Sequence, residues 1–157
     1  MADKTKLGME FPTYTFEVEK GKIAEFALAI SQKEDKNQLN PVYVDREAAK
    51  KSGYNDIIAP PTFQTCFPFW AAGGLLPIIQ ILGIDLIRLL HGEEEYFYYA
   101  TIHPGDIMTG KSKVVEMYQK EKKDKPGKFM DFTVIETEIS NQRGELVIKT
   151  RSTLVER

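Results

Sequence analysis

The sequence has little of what builds metal sites or disulfides. Its 157 residues include one cysteine, Cys66, and two histidines, His91 and His103. A single cysteine excludes an internal disulfide and a cysteine-based metal cluster, and two imidazoles add too few ligands for structural zinc. We therefore expect no metal site, and we expect Cys66 to be a small buried apolar group, because no base lies at a recognised spacing for a thiol nucleophile.

The chain also lacks a strong charge of one sign and a long apolar run. Its 21 basic and 23 acidic residues give a net charge of -2 and are spread along the sequence, which argues against nucleic acid or an anionic membrane as a partner. No stretch reaches the roughly 20 apolar residues of a spanning helix, and the polar start, "MADKTKLGMEFP", has no signal-peptide core. The expectation is a cytoplasmic protein with a small or neutral-headed ligand.

The length predicts one domain over residues 1–157, with its core at about 13–156. "TYTFEV" alternates like a short strand, and the next segment carries apolar residues at helical spacing up to about residue 31. A polar loop then leads to "DREAAKKSG", in which Asp45 can cap a short helix and Gly53 can end it. A strand followed by two helices is thus predicted for the first third.

The middle of the chain is the most apolar part. "APPTFQTCFPFWAAGG" predicts a buried central helix that begins at the double proline, and Pro68 predicts a kink or an early end. The period of residues 77–90 is compatible with helix or strand. From residue 93 onward, aromatic and β-branched residues with turns at "HPGD" and "NQRG" predict a long antiparallel meander. The fold class is therefore α+β, with one sheet wrapped on a buried helix.

Four stretches in this order resemble the MaoC-like hydratases and dehydratases, which have the hot-dog fold, and in particular their N-terminal dehydratase domain, the type also found in mycobacterial (3R)-hydroxyacyl-ACP dehydratase subunits. The stretches are "NPVYVDREAA", "IIAPPTF", "LHGEEEYFYYATIHPGD" and "GELVIKTRSTLV", and together they span about residues 14–155. The resemblance implies reversible hydration of a trans-2-enoyl thioester to an (R)-3-hydroxyacyl thioester. The substrate would carry coenzyme A or the phosphopantetheine of acyl carrier protein, with no further cofactor.

In active members of that family, the loop reads Asp, any residue, Asn, Pro, any residue, His. Aligning Asn40 and Pro41 with the family's Asn and Pro puts Gln38 at the aspartate position and Tyr43 at the histidine position. Glutamine carries no titratable proton near neutral pH, and a tyrosine pKa near 10 makes a poor general base. The resemblance therefore implies a degenerate dyad, with Asp35 and His91 as alternative sources of a carboxylate and an imidazole.

The resemblance also places a substrate site at the start of the buried helix. The family holds the thioester carbonyl there, and Pro61 opens a segment whose first free N–H groups belong to Thr62, Phe63 and Gln64. Asn40 either contacts substrate or holds the loop. His91 is expected to be structural, bonded to a carboxylate or to backbone, and His103 to end a strand.

Three hypotheses follow. The first is a non-catalytic, substrate-binding subunit of an enoyl-thioester hydratase or (R)-3-hydroxyacyl dehydratase, in a heterodimer or heterotetramer with a hot-dog chain that supplies Asp and His. The second is a homodimeric module that binds acyl-coenzyme A without catalysis. The third is a self-sufficient hydratase with displaced residues such as Asp35 and His91.

Overall fold

The computed structural model describes residues 3–31 and 39–157, except for the side chains of Lys4 and Trp70. The α-helices found there are α1 (Lys20–Ser31), α2 (Arg46–Lys51), α3 (Cys66–Ala71) and α4 (Leu76–Leu82). The strands are β1 (Tyr14–Glu17), β2 (Leu89–Tyr98), β3 (Ile107–Glu121), β4 (Phe129–Ser140) and β5 (Leu146–Glu156). No helix of these ranges has the length and apolar character that a membrane crossing requires.

The strands form one antiparallel sheet in the order β1-β3-β4-β5-β2. Strands β3, β4 and β5 are a meander, as the sequence predicts. Strand β2 does not continue that meander, because it pairs with β5 at the far edge of the sheet instead of with its chain neighbour β3. Short helices cover one face of this sheet, which confirms the α+β class.

The central segment, residues 60–72, begins differently from the predicted central helix. Pro61 and Thr62 form a turn, a single 3-10 turn follows at Phe63–Thr65, and α3 begins only at Cys66. The reason is local, because the Phe63 N–H donates to the Pro60 carbonyl at 2.9 Å and closes a tight turn before the α-helix can form. The early end is confirmed, since α3 stops three residues after Pro68.

Residues 77–90 contain both of the alternatives that the sequence left open. Most of α4 comes first and ends at Gly83, whose φ of 66° is the left-handed conformation that suits a helix end. A 3-10 turn at Leu86–Arg88 then leads directly into β2. The spacing of apolar residues alone does not distinguish the helical part from the strand part, because Gly83 interrupts a run that is apolar on both sides.

Two apolar clusters hold the helices against the concave face of the sheet, the face that the helices cover. The first is centred on Phe63, whose ring centroid lies 5.4 Å from that of Phe26, 5.7 Å from that of Phe67 and 6.2 Å from that of Phe16. The second packs the buried side of α4 against β3, β4 and β5. The central segment and α4 are therefore attached to the sheet by separate cores.

One close approach in the sheet depends on glycine. Gly110 of β3 pairs with Tyr14 of β1, and the tyrosine ring lies across it. A Cβ atom at Gly110 would lie 2.1 Å from the Cζ of Tyr14, well inside van der Waals contact. The edge strand β1 therefore packs this tightly only because position 110 has no side chain.

Candidate functional site

In the described part of the Asn-Pro loop, the side chains of Asn40 and Asp45 make capping hydrogen bonds to backbone. The Asn40 side chain accepts a hydrogen bond from the Val42 N–H at 3.2 Å and caps the 3-10 turn Pro41–Tyr43. Asp45 accepts from the N–H groups of Glu47 at 2.8 Å and Ala48 at 3.2 Å, which confirms it as the cap of α2. Both side chains therefore hold backbone in this structure. Gln38 and Asp35 lie outside the described residues.

Tyr43 lies at the first of two cavities that bear on function. This first cavity has a volume of about 650 Å³ and lies between the Asn-Pro loop, the segment that ends at Pro61, and the end of β2. Its wall includes Asn40 and the phenol rings of Tyr43, Tyr54 and Tyr98. None of its described lining residues is Asp, Glu or His. Its described part can therefore bind through ring faces, hydroxyls and backbone, without a carboxylate or an imidazole.

The predicted oxyanion-binding turn is only partly open. Phe63 is fully buried and its N–H is bonded to Pro60, so it is not among the free donors that the sequence suggested. The Tyr98 hydroxyl donates to the Pro61 carbonyl at 2.8 Å and fixes the turn to β2. Pro61 and Thr62 are exposed on the surface of this turn. Substrate contact at Thr62 and Gln64 remains a prediction.

Gln64 is the unusual residue of this turn. Its side chain is buried at 3% exposure, yet neither its Oε1 nor its Nε2 makes a hydrogen bond. A buried amide is costly in free energy unless its polar atoms are satisfied. It lies near the Tyr98 hydroxyl: burial raises the pKa of Tyr98, and the Gln64 amide opposes that rise.

The two histidines are held by different partners. His103 is anchored through both ring nitrogens, with Nδ1 2.9 Å from the Ile57 carbonyl and Nε2 2.8 Å from the Thr101 hydroxyl. Because a carbonyl only accepts, Nδ1 carries a proton, and the His103 ring connects two loops through hydrogen bonds. His91 has its Nε2 atom 3.1 Å from Oε2 of Glu94, so its partner is a carboxylate, one of the two alternatives that the sequence left open.

The second cavity lies between α3, α4 and the concave face, and its volume is about 450 Å³. Apolar side chains of the two helices form one wall, and the sheet contributes the other. Tyr14 and Tyr96 line this cavity, and burial raises the pKa of each to about 12; the negative charge of Glu94 contributes further at Tyr96. Both phenols therefore stay protonated near neutral pH and remain hydrogen-bond donors.

Among the described residues, neither Cys66 nor the acidic groups add a reactive thiol or a metal-binding cluster. Burial raises the pKa of the Cys66 thiol, against smaller opposing effects of the Thr65 hydroxyl and the Lys22 charge, so the nucleophilic thiolate is disfavoured. In residues 3–31 and 39–157, no three His, Cys, Asp or Glu side chains meet in a way that could hold a metal ion.

Solved structures with this architecture include proteins named as MaoC-like dehydratases. A chain of the HadBC (3R-hydroxyacyl-ACP dehydratase) complex from Mycobacterium tuberculosis superimposes with a TM-score of 0.74 at 21% identity, covering 96% of each chain. A chain of the ChsH1-ChsH2 complex from the same organism gives 0.74 at 20% identity, over 98% of this chain and 86% of that one. The fold is therefore the hot-dog fold.

Sequence comparison gives the family. The model of the FAS1-like dehydratase domain region matches residues 5–150, and the chain belongs to this family. It is also 36% identical over 156 residues to a UPF0336 protein of Streptomyces avermitilis, covering 99% of this chain and 95% of that protein. A UPF0336 protein of Saccharopolyspora erythraea is likewise 36% identical, with 99% and 91% covered.

Two features of the site escaped sequence reasoning. The contact between Tyr98 and Pro61 joins residues 37 positions apart, and no local pattern announces it. The cavity position of the His91–Glu94 pair was also missed, because a spacing of three places strand residues on opposite faces. Gly92 between them was the available signal, since glycine inside a strand often marks a bulge.

Proposed function

We propose that this chain is the non-catalytic, substrate-binding subunit of an (R)-specific enoyl-thioester hydratase or 3-hydroxyacyl-thioester dehydratase. Its ligand is an acyl chain on coenzyme A or acyl carrier protein, and a second hot-dog chain supplies the Asp and His that activate water. The observation that carries the proposal is the loop Asn40–Asp45: its capping hydrogen bonds are intact, while Tyr43 stands at the position where the resemblance to active family members implies a histidine.

Two features of the fold support a partner. Strand β2 is ten residues long, lies at the edge of the sheet, and has β5 as its neighbour. Long edge strands are templates for pairing with another chain. At its end, Phe97, Tyr98 and Tyr99 are 44 to 59% exposed, an aromatic patch of the kind that interfaces enrich. The two structural neighbours from M. tuberculosis are themselves complexes of two chains, by their names.

The chemistry explains why a chain without the dyad is retained. Hydration needs a base for water, a proton for the α-carbon, and donors for the thioester oxygen. The partner supplies the first two in this proposal, and this chain contributes acyl binding and the second half of the pocket. The expected setting is the cytoplasm, within fatty-acid or related acyl metabolism.

The deciding experiment is purification from the native host, followed by reconstitution. The expected result is co-purification with a small hot-dog chain that carries Asp-x-Asn-Pro-x-His, and hydration of crotonyl-coenzyme A by the pair but not by this chain alone. Changing the partner's Asp to Asn should abolish the rate, whereas Tyr43→Phe here should leave it largely intact.

Other outcomes point to the other two hypotheses. Tight binding of acyl-coenzyme A by a homodimer, with no partner and no turnover, identifies a binding module. Turnover by the isolated chain that disappears in Asp35→Asn identifies a self-sufficient hydratase. Either result would replace the subunit proposal.

A further inference from the structure

A bulge in β2 brings an imidazole and a carboxylate together. The register of β2 with β5 jumps between His91, which pairs with Leu154, and Glu93, which pairs with Thr153, so Gly92 is the extra residue. The bulge puts His91 and Glu94 on the same face, where Nε2 and Oε2 are 3.1 Å apart. The Ser152 hydroxyl is 3.4 Å from the same nitrogen, so three polar groups converge.

The bulge requires glycine for steric reasons. A Cβ at Gly92 would lie 2.7 Å from Cγ2 of Val155 and 3.2 Å from the carbonyl oxygen of Thr153. Both contacts are too short for an ordinary side chain without movement of β5. The bulge that brings His91 and Glu94 to one face therefore depends on the absence of a side chain at position 92.

This polar group lies in the wall of the second cavity, opposite apolar side chains that include Ala72, Leu75 and Ile78. The Glu94 side chain is 23% exposed and that of His91 is 59% exposed, so the carboxylate is the more enclosed of the two. A purely apolar occupant would remove water from this carboxylate and put nothing in its place, which is unfavourable. An occupant with an O–H donor would replace that water.

The distance from the thioester end fits an acyl group. Glu94 and Tyr98 are four residues apart on β2, about 13 Å at the usual rise of a strand. The Tyr98 hydroxyl donates to the Pro61 carbonyl, at the turn where the resemblance to the family implies that the thioester binds. A chain bound there and extended along β2 would bring its far end to Glu94.

From this geometry we propose that the second cavity selects acyl thioesters whose apolar body carries a hydroxyl group at its far end, bound by Glu94, His91 and Ser152. This inference rests on the proposed acyl-binding function and adds the substrate class. The ligand hydroxyl donates to the Glu94 carboxylate and accepts from the Ser152 hydroxyl, while the Nε2–H of His91 donates to Glu94 and orients it.

The test is calorimetry on the full-length protein, with its partner if one co-purifies, using dodecanoyl-coenzyme A and 12-hydroxydodecanoyl-coenzyme A. We expect the hydroxylated thioester to bind at least about tenfold tighter, because a hydrogen bond to a charged group contributes about 1.5 to 3 kcal/mol. Glu94→Leu should reverse the preference, and His91→Phe should reduce it. A purely structural role of Glu94 would lower both affinities equally.

Glu93→Leu is the matched control, because Glu93 pairs with Thr153 on the opposite face of the same strand. It should preserve the preference of the unmodified protein. Equal affinity for the two thioesters, or a preference that survives Glu94→Leu, overturns the inference and leaves acyl binding intact. If neither thioester binds, the acyl-binding function itself is wrong, and this inference falls with it.

Discussion

The two cavities differ in what they offer a ligand, although the same strand lines both. At the end of β2, the described wall of the first cavity carries phenols, an amide and backbone. Near the start of β2, the second cavity carries a carboxylate paired with an imidazole. The chain therefore has acid-base groups beside a cavity away from the Asn-Pro loop. Binding is the simpler role for these groups.

The central segment lies between the two cavities. The turn at Pro61 faces the first cavity, and Pro68 and Ala72 face the second. Phe63 packs beneath this segment against three other rings. Changes at this core should affect both cavities, whereas changes at the loop or the sheet should affect one.

Phe63→Ala should have the largest effect, because it breaks the support shared by both cavities. Removal of a fully buried ring is expected to lower the free energy of unfolding by about 3 to 5 kcal/mol. Urea unfolding followed by circular dichroism measures this loss. Phe69→Ala on the same segment, where the ring is 67% exposed, should cost about 0.5 kcal/mol. Similar losses in the two variants would contradict the packing described for Phe63.

Gly110→Ala should act on the second cavity, because the added methyl group displaces the Tyr14 ring that lines it. We expect a loss of about 1 to 3 kcal/mol in the free energy of unfolding, the usual cost of overpacking. Gly21→Ala in α1 is the control, since no atom lies within 4 Å of its Cβ position. That change should alter the free energy of unfolding by less than about 0.5 kcal/mol, because Gly21 is the second residue of the helix. If Gly110→Ala left the free energy of unfolding unchanged, the Tyr14 ring would have to move aside without cost.

Asp45→Ala should act on the first cavity through the loop that carries Tyr43. Loss of the cap of α2 is expected to cost about 1 kcal/mol, with faster hydrogen exchange at the Glu47 and Ala48 amides. Asp45→Asn should retain most of the stability, because asparagine caps helices nearly as well. If Asp45→Asn lost as much as Asp45→Ala, the carboxylate charge would matter more than the hydrogen bonds.

The smallest expected effect is a shift in the pH at which two tyrosines ionise, measured by phenolate absorbance. Tyr14 and Tyr96 ionise at a pKa of about 12, above the ordinary 10.0, so phenolate absorbance should show two late-titrating groups in the folded protein. Tyr14→Phe and Tyr96→Phe should each remove one, and in denaturant the late groups should disappear. Because the unfolded phenols lose protons first, these two residues disfavour the folded state progressively as pH rises from about 10 to 12. A single titration step in the folded protein would contradict the burial of both rings.

Local chemistry made much of the fold predictable. The Asp45 cap, the end of α3 after Pro68 and the turn at Gly144 each follow from residues within a few positions of one another. The start of α3 was misplaced because a double proline suits a tight turn as well as the first turn of a helix. The two prolines are thus compatible with a tight turn and with a helix start, and the Phe63–Pro60 hydrogen bond favours the turn.

What the sequence could not supply is non-local. Strand β2 pairs with β5, about 60 residues further along the chain, and no residue pattern in either strand predicts this pairing. For the site, the resemblance located the Asn-Pro loop and the turn at Pro61. It did not reveal the buried, unpartnered amide of Gln64, because burial of a polar side chain follows from packing and not from its neighbours in sequence.

The extra residue at Gly92 also bears on where the gene can change in length. Loss of the Gly92 codon would keep His91 opposite Leu154 and Glu94 opposite Ser152, because Gly92 has no partner on β5. Loss of a codon in the regular part of the strand, between Glu94 and Tyr98, would reverse the facing of the residues on one side of the deletion. Either Tyr98 or the His91–Glu94 pair would then turn away from the cavities. Homologues that bind the same ligand should therefore tolerate loss of the residue at Gly92, show no single-residue insertions or deletions between Glu94 and Tyr98, and vary in length in the turns instead.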